Sequence, residues 1–279
     1  MNFSTSAALA QGQTPEIDTP PPQKTARWRH FLALLVIGSY PIFSALSVAL
    51  RGGNDTQSNV SFPTTVDGLL LFSALQMAIF GIFWGIAWAI SRYDKRTLFL
   101  EWHSGFAPIV QGFFYSIALR VGVLLVASLS VIAFLALGWS EGQIADFFRE
   151  FAPDTRGIVE SISKNDDPIY QFLVVTLLPF VVAGLREELW RGATFAGMLA
   201  LCPQSWSAPM RNVFVVAISS IVFGLGHIYQ GPTGVFMTTI LGAGLGAMVL
   251  YHRSIWPAVI AHGFFNAVSF WAATRVNVP

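Results

Sequence analysis

Residues 109–137 read IVQGFFYSIALRVGVLLVASLSVIAFLAL, an apolar run in which Arg120 is the single charged side chain. A helix needs about 20 apolar residues to cross a bilayer, and this run is longer than that. Only helices and closed barrels satisfy their own backbone polar groups in lipid, and the run lacks the polar–apolar alternation of a barrel strand. The segment therefore predicts a membrane-spanning helix.

Six further segments of similar character lie on both sides of this run: Phe31–Leu50, Val66–Ile90, Tyr170–Leu201, Val213–Tyr229, Gly234–Tyr251 and Ile255–Ala273. The chain of 279 residues is 54% hydrophobic and 11% charged, which leaves too little polar surface for a water-soluble domain. We therefore predict an all-α fold, a polytopic transmembrane helix bundle of about seven to eight spans. Pro179 is expected to kink the fourth span.

The N-terminal region differs from the rest of the chain. Residues 1–25 are rich in Ser, Thr, Gln and Pro and begin with no basic cluster followed by an apolar run. This composition predicts a disordered cytoplasmic tail over residues 1–27, with no cleaved signal peptide. Residues 28–279 are predicted to form a single transmembrane domain.

Charges in the loops predict the orientation. Basic residues fall in alternate loops, which would lie on the cytoplasmic side: Lys24, Arg27, Arg29, Arg92, Lys95, Arg96, Arg211, His252 and Arg253. The acidic loop Gly138–Pro168 is then expected outside, with a short surface helix. These features predict an inner-membrane protein with a cytoplasmic N-terminus and the lipid bilayer as its surroundings. The net charge of +1 gives no reason to expect a nucleic-acid partner, and the single Cys202 excludes an internal disulfide framework.

Polar residues inside the spans are costly in lipid and are candidates for function. They fall in three segments: Arg186-Glu187-Glu188-Leu189-Trp190-Arg191, Phe223-Gly224-Leu225-Gly226-His227 and His262-Gly263-Phe264-Phe265-Asn266. Each segment alone also has a structural explanation, as a self-paired charge cluster, a hydrogen-bonded histidine or an amide that joins two helices. Together they supply a carboxylate and imidazoles, which are the groups that activate water for hydrolysis.

Helical spacing gives expectations for individual contacts. Glu187 and Arg191 are four residues apart and are expected to pair, and His262 and Asn266 share one face of their helix. Arg120 has no acidic neighbour in the sequence, so it is expected either to face the glutamates or to extend its side chain to the membrane surface.

The three segments, in this order, resemble the CAAX prenyl protease and bacteriocin-processing family of type II CAAX endopeptidases. That family has a Glu-Glu pair followed by Arg, then Phe-x-x-x-His, then His-x-x-x-Asn, and the resemblance covers about residues 170–270, the expected catalytic core. The family places three residues between the second Glu and the Arg, whereas this chain has only Leu189 and Trp190. Aligning on the glutamates keeps Glu187 as the first acid. Aligning on Arg191 instead puts Arg186 at the position of the family's first Glu.

The resemblance implies specific roles. Glu187 would be the general base that activates water, helped by His227, and His262 with Asn266 would hold the oxyanion. Glu188 and Arg191 would orient these groups, with Phe223 in a supporting position. The resemblance allows zinc held by Glu187, His227 and His262, and it equally allows a mechanism without metal.

The predicted activity is hydrolysis of a membrane-associated or lipid-modified peptide. Two other functions stay open at this stage. The first is a non-catalytic membrane immunity or partner-binding protein. The second is a transporter that uses the buried acids to carry protons.

Overall fold

The computed structural model describes residues 26–51, 61–103, 105–150 and 152–275, and every regular element in these ranges is helical. Residues 1–25 of the predicted disordered tail lie outside the described residues. The elements, in chain order, are α1 (Arg27–Arg51), α2 (Val66–Ser91), α3 (Ala107–Ala136), α4 (Glu141–Glu150), α5 (Arg156–Ser163), α6 (Pro168–Leu177), a π-helical segment (Leu178–Leu185), α7 (Arg186–Leu201), α8 (Ala208–Leu225), a 3-10 turn (Ile228–Gln230), α9 (Gly231–His252) and α10 (Trp256–Ala273).

Each of the seven predicted apolar segments overlaps one of the long helical stretches. The fifth, Val213–Tyr229, differs most, because α8 begins at Ala208 and ends at Leu225, before His227. Five of these stretches are long and apolar enough to cross a membrane: Val66–Ser91, Ala107–Ala136, Pro168–Leu201, Ala208–Leu225 and Ile228–His252. Helix α10 is not among them, because His262 and Asn266 lower its mean hydropathy. The described residues thus form an all-helical membrane protein with five candidate spans, and the predicted count of seven to eight spans is not confirmed.

The fourth span is continuous from Pro168 to Leu201, but its centre is not α-helical. Proline has no backbone N–H and its ring crowds the preceding turn, so the α-helical ladder cannot close at Pro179. The disruption takes the form of the π-helical segment, which ends at Leu185, directly before the charged cluster. Such segments are frequent at functional sites.

Helix α10 packs closely against two neighbours at glycine positions. A Cβ atom at Gly184, in the π-helical segment, would lie 2.9 Å from the Val259 carbonyl oxygen of α10. On another side of α10, a Cβ atom at Gly112 of α3 would lie 2.9 Å from the Pro257 carbonyl oxygen. Small residues at helix contacts let backbones approach closely in membranes. Helix α10 is therefore held between α3 and the fourth span.

The acidic loop after α3 contains two short helices, whereas the sequence indicated one. Ile144 of α4 is buried, and the Phe147 ring of α4 contacts Phe134 at the end of α3 with 4.9 Å between centroids. Helix α5 buries Ile162 completely. The backbone N–H of Asp154 donates to the Gln230 carbonyl at 3.0 Å, which ties the loop to the 3-10 turn.

Gly192→Ala should lower stability, because a Cβ atom there would lie 2.7 Å from the Leu98 carbonyl oxygen. Overpacking of this kind costs about 1–3 kcal/mol. Thermal unfolding of the purified protein in detergent measures the effect. The control is Gly85→Ala in α2, where a Cβ atom meets nothing within 4 Å. Equal unfolding temperatures for the two variants would contradict the expected close contact.

Candidate active site

The three polar segments meet inside the bundle. Glu187, Glu188 and Arg191 lie in the first turns of α7, directly after the π-helical segment. His227 lies in the turn that follows α8, and its backbone N–H donates to the Gly224 carbonyl at 2.8 Å. His262 lies near the middle of α10 and is 3% exposed. Residues far apart in the chain therefore form one cluster.

Glu188 is the centre of a fully buried ion pair. The side chains of Glu188 and Arg191 are both 0% exposed and are in contact, three residues apart on α7. The Nδ1 atom of His262 donates to Glu188 Oε1 at 3.2 Å. The expected pairing of Glu187 with Arg191 is not observed, because Arg191 extends along the helix face that carries Glu188.

Glu187 is held by a different arginine. Arg186 Nη2 donates to Glu187 Oε1 at 2.9 Å, and Arg186 Nη1 donates to Gln76 Oε1 of α2 at 3.0 Å. The second carboxylate oxygen, Oε2, is buried and has no hydrogen-bond partner among the described residues. It lies 3.7 Å from His262 Nε2. Glu187 therefore keeps one oxygen with free acceptor capacity.

A cavity of about 100 Å³ lies beside this carboxylate. A water molecule needs only about 10–15 Å³ of such volume, so several waters fit. The lining residues are Tyr40, Pro41, Arg186, Glu187, Trp190, Phe223, Gly226, His227 and Tyr229. The cavity thus places a carboxylate, an imidazole and two phenols around a space that holds water.

His227 has a defined tautomer. Its Nδ1 atom lies 2.9 Å from the Phe223 carbonyl oxygen, which can only accept, so Nδ1 carries a proton. In the neutral ring, Nε2 is then free to accept a proton. The Phe223 ring lies 4.9 Å from the His227 ring and 6.2 Å from the His262 ring, between centroids. The Arg191 guanidinium lies 4.8 Å from the centroid of the same ring. Phe223 therefore contacts His227, His262 and Arg191 at once.

Four of the motif residues do not line the cavity: Glu188, Arg191, His262 and Asn266. Glu188 contacts both Arg191 and His262, whereas Asn266 is in none of these pairs. Asn266 is half-buried on α10, one turn beyond His262, and its side chain makes no hydrogen bond to the described part of the chain. Its role in holding an oxyanion stays a prediction.

Sequence reasoning missed four residues of the site: Tyr40, Gln76, Arg186 as the partner of Glu187, and Tyr229. Gln76 had a usable signal, because it is the one amide in an apolar stretch of α2 and a buried amide needs a partner. Tyr229 had no such signal, because it stands at the end of a predicted span, where tyrosine is common. Tyr40 lies in the middle of the first predicted span and was not singled out.

The resemblance allowed zinc held by Glu187, His227 and His262. Structural and catalytic zinc sites bring at least three side chains to one point. Across the described ranges, no group of three or more His, Cys, Asp or Glu side chains is placed to hold a metal ion. Glu187, His227 and His262 do not form a metal-binding group in this structure, and zinc dependence stays a prediction.

Comparison with protein families gives one match, over the part of the chain that contains all of these motif residues. Residues 169–268 match the family described as type II CAAX prenyl endopeptidase Rce1-like. This segment is similar to that family. The match confirms the resemblance drawn from the three motifs, and it suggests a CAAX-type endopeptidase activity in the membrane. Comparisons with curated proteins and with solved structures gave no match. The matched segment runs from the start of the fourth span to Val268 in α10, so α1 to α5 lie outside it.

Proposed function

We propose that this protein is an intramembrane endopeptidase that hydrolyses a membrane-associated or lipid-modified peptide with water activated by Glu187 and His227. The observation that supports this most directly is the buried Oε2 atom of Glu187, which has no hydrogen-bond partner among the described residues, in a side chain that lines the cavity together with His227. A buried base with free acceptor capacity is the group that general-base catalysis requires.

The proposed reaction uses protein groups in two steps. Glu187 Oε2 accepts a proton from a water molecule while the water oxygen bonds to the carbonyl carbon of the scissile peptide, forming a tetrahedral intermediate. The C–N bond then breaks as Glu187 gives this proton to the leaving nitrogen, so that a carboxylic acid and an amine are released. His227 Nε2 accepts a hydrogen bond from the attacking water and orients it.

Other residues prepare Glu187 for this role. Arg186 occupies Oε1 and leaves Oε2 to act as the base. His262 is fixed between the two carboxylates through its bond to Glu188. The Tyr229 hydroxyl accepts from Gln230 Nε2 at 3.2 Å, so its own proton is available to the oxyanion from the cavity wall. Donors that are already in place stabilise developing charge most effectively where water is excluded.

An apolar groove supports a membrane-associated substrate. It has a volume of about 540 Å³ and runs between α1, α7 and α8, with Leu34, Met198, Trp206 and Phe214 among its walls. Trp190 lines both this groove and the catalytic cavity. An apolar segment of a substrate would therefore lie next to the reacting groups.

The test is cleavage of quenched-fluorescent membrane peptides by the purified protein in liposomes, with Glu187→Ala beside the wild type. We expect cleavage by the wild type and none by the variant. Folded wild-type protein that cleaves no membrane peptide would instead favour a partner-binding protein.

Metal content measured on the same samples separates the two mechanisms. Cleavage that persists with less metal than protein, and after chelation, is expected from a mechanism that uses only protein groups. Cleavage that disappears on chelation and returns with zinc would contradict the metal-free steps above, while leaving the endopeptidase assignment intact.

A further inference from the structure

Arg120 is a charged residue in the middle of α3 whose partners are not acidic. No ion pair among the described residues includes it. Its guanidinium Nη2 donates to the carbonyl oxygens of Phe264 and Phe265 at 2.9 and 2.6 Å. Nη1 donates to the Ser116 carbonyl and hydroxyl oxygens at 3.1 and 2.6 Å. Arg120 therefore neither faces the glutamates nor extends to the membrane surface.

The two carbonyls that Arg120 binds lie on the turn of α10 between His262 and Asn266. The Phe265 carbonyl belongs to the peptide group whose N–H is that of Asn266. It also accepts from Ser269 Oγ at 3.0 Å, and the Arg120 guanidinium lies 4.8 Å from the centre of the Phe265 ring. The guanidinium thus contacts both the backbone and a side chain of this turn.

These bonds are not needed to form the helix. A carbonyl within an α-helix already accepts from the N–H four residues ahead. A charged side chain in a membrane span is costly and is uncommon without a functional reason. The hydrogen bonds from Arg120 are therefore additional to those of the helix. They determine how α10 is rotated about its axis and how far it is shifted along that axis relative to α3.

Close packing alone restrains the rotation of α10 and its shift along its axis less strongly. The glycine contacts at Gly112 and Gly184 set how near α3 and the fourth span approach α10. A directional bond from Arg120 opposes sliding and rotation of the turn that presents His262 to Glu188. His262 Nδ1 is 3.2 Å from Glu188 Oε1, so a shift of about 1 Å would break that bond.

We propose that Arg120 is a positioning residue, which holds the His262–Asn266 turn of α10 in register with the two glutamates of α7. The proposal rests on the proposed endopeptidase function for its effect on turnover. Its structural part does not depend on any activity, since it states which turn loses order when the guanidinium is removed.

The experiment compares Arg120→Met and Arg120→Lys with the matched control Arg275→Met. Arg275 lies just after α10 and stacks on Trp271 of that helix, 5.6 Å from the ring centre, away from the site. For each variant, kcat and KM for peptide cleavage are measured. Hydrogen exchange of the α10 peptides and the unfolding temperature are recorded on the same preparations.

Arg120→Met should lower kcat about tenfold to a hundredfold with little change in KM, because misplacement by about 1 Å can cost that much. Backbone amides of residues 262–269, which include the His262–Asn266 turn, should exchange faster than in the wild type. Lysine retains a donor that reaches one carbonyl, so Arg120→Lys should recover part of kcat and of the protection. Arg275→Met should match the wild type in all three measurements.

Wild-type kcat and exchange in Arg120→Met would overturn the proposal, and so would equal losses in Arg275→Met. A fall in unfolding temperature with unchanged kcat would also overturn it, since it would show a purely structural anchor. If Arg120→Met does not fold, Arg120→Lys and Ser116→Ala give the same comparison, the latter by removing a partner of the guanidinium. A wild type that cleaves nothing would contradict the proposed function, while hydrogen exchange would still decide the role of Arg120.

Discussion

Glu187→Gln should abolish peptide cleavage while leaving the protein folded. The amide keeps the size of the side chain and can still bond to Arg186, but it cannot accept the proton of the attacking water. General-base catalysis contributes about 10²- to 10⁴-fold, and the loss in kcat should reach the upper part of that range. Single-turnover cleavage in liposomes measures it, with gel filtration to confirm the fold.

The matched control is Glu160→Gln, which makes the same change on α5 at a side chain that is 51% exposed and paired with Lys164. Its cleavage rate should equal that of the wild type. A Glu187→Gln protein that still cleaved at the wild-type rate would show that another group accepts the proton, and the proposed mechanism would then be wrong.

Arg191→Met should destabilise the protein by about 3–5 kcal/mol, since it leaves the Glu188 carboxylate buried without its counter-charge. Both side chains are 0% exposed, so neither water nor lipid headgroups can compensate. Unfolding in detergent, followed by tryptophan fluorescence against denaturant, measures the change.

The double variant Glu188→Gln/Arg191→Met provides the control. It removes both charges together, so it should recover much of the stability that the single variant loses. If the double variant were less stable than the single variant by the full cost of Glu188→Gln, the two residues would be acting independently. The pairing described here would then not stabilise the fold.

Much of the fold was predictable from hydropathy. The bounds of the seven apolar segments agree with the helices because the bilayer requires continuous apolar runs that satisfy their own backbone. The two short helices after α3 were harder to predict, because their apolar faces are only a few residues wide. Pro179 indicated a break in the fourth span, but the sequence shows neither the π-helical form of that break nor the close contact of Gly184 with α10.

The site was predictable where it depended on short motifs. Glu187, Glu188, His227 and His262 come together as the resemblance implied. The pairing of the charges was not predictable, because spacing permits Arg191 to reach either glutamate and tertiary contacts decide. Gln76 and Arg120 lie in α2 and α3, outside the segment that resembles the family, so no motif could point to their bonds with Arg186 and with α10.

The size of the cavity beside Glu187 has a consequence for the affinity of the proposed enzyme for its substrate. Pockets that hold drug-sized ligands have volumes of about 300–1,000 Å³, whereas this cavity has about 100 Å³. This volume holds water but not a stretch of polypeptide, so the proposed mechanism requires the cavity to widen when a substrate binds. Apparent affinity is then the intrinsic affinity reduced by the fraction of molecules that are open. A variant that favours the open form would bind substrate more tightly without gaining a single contact with it.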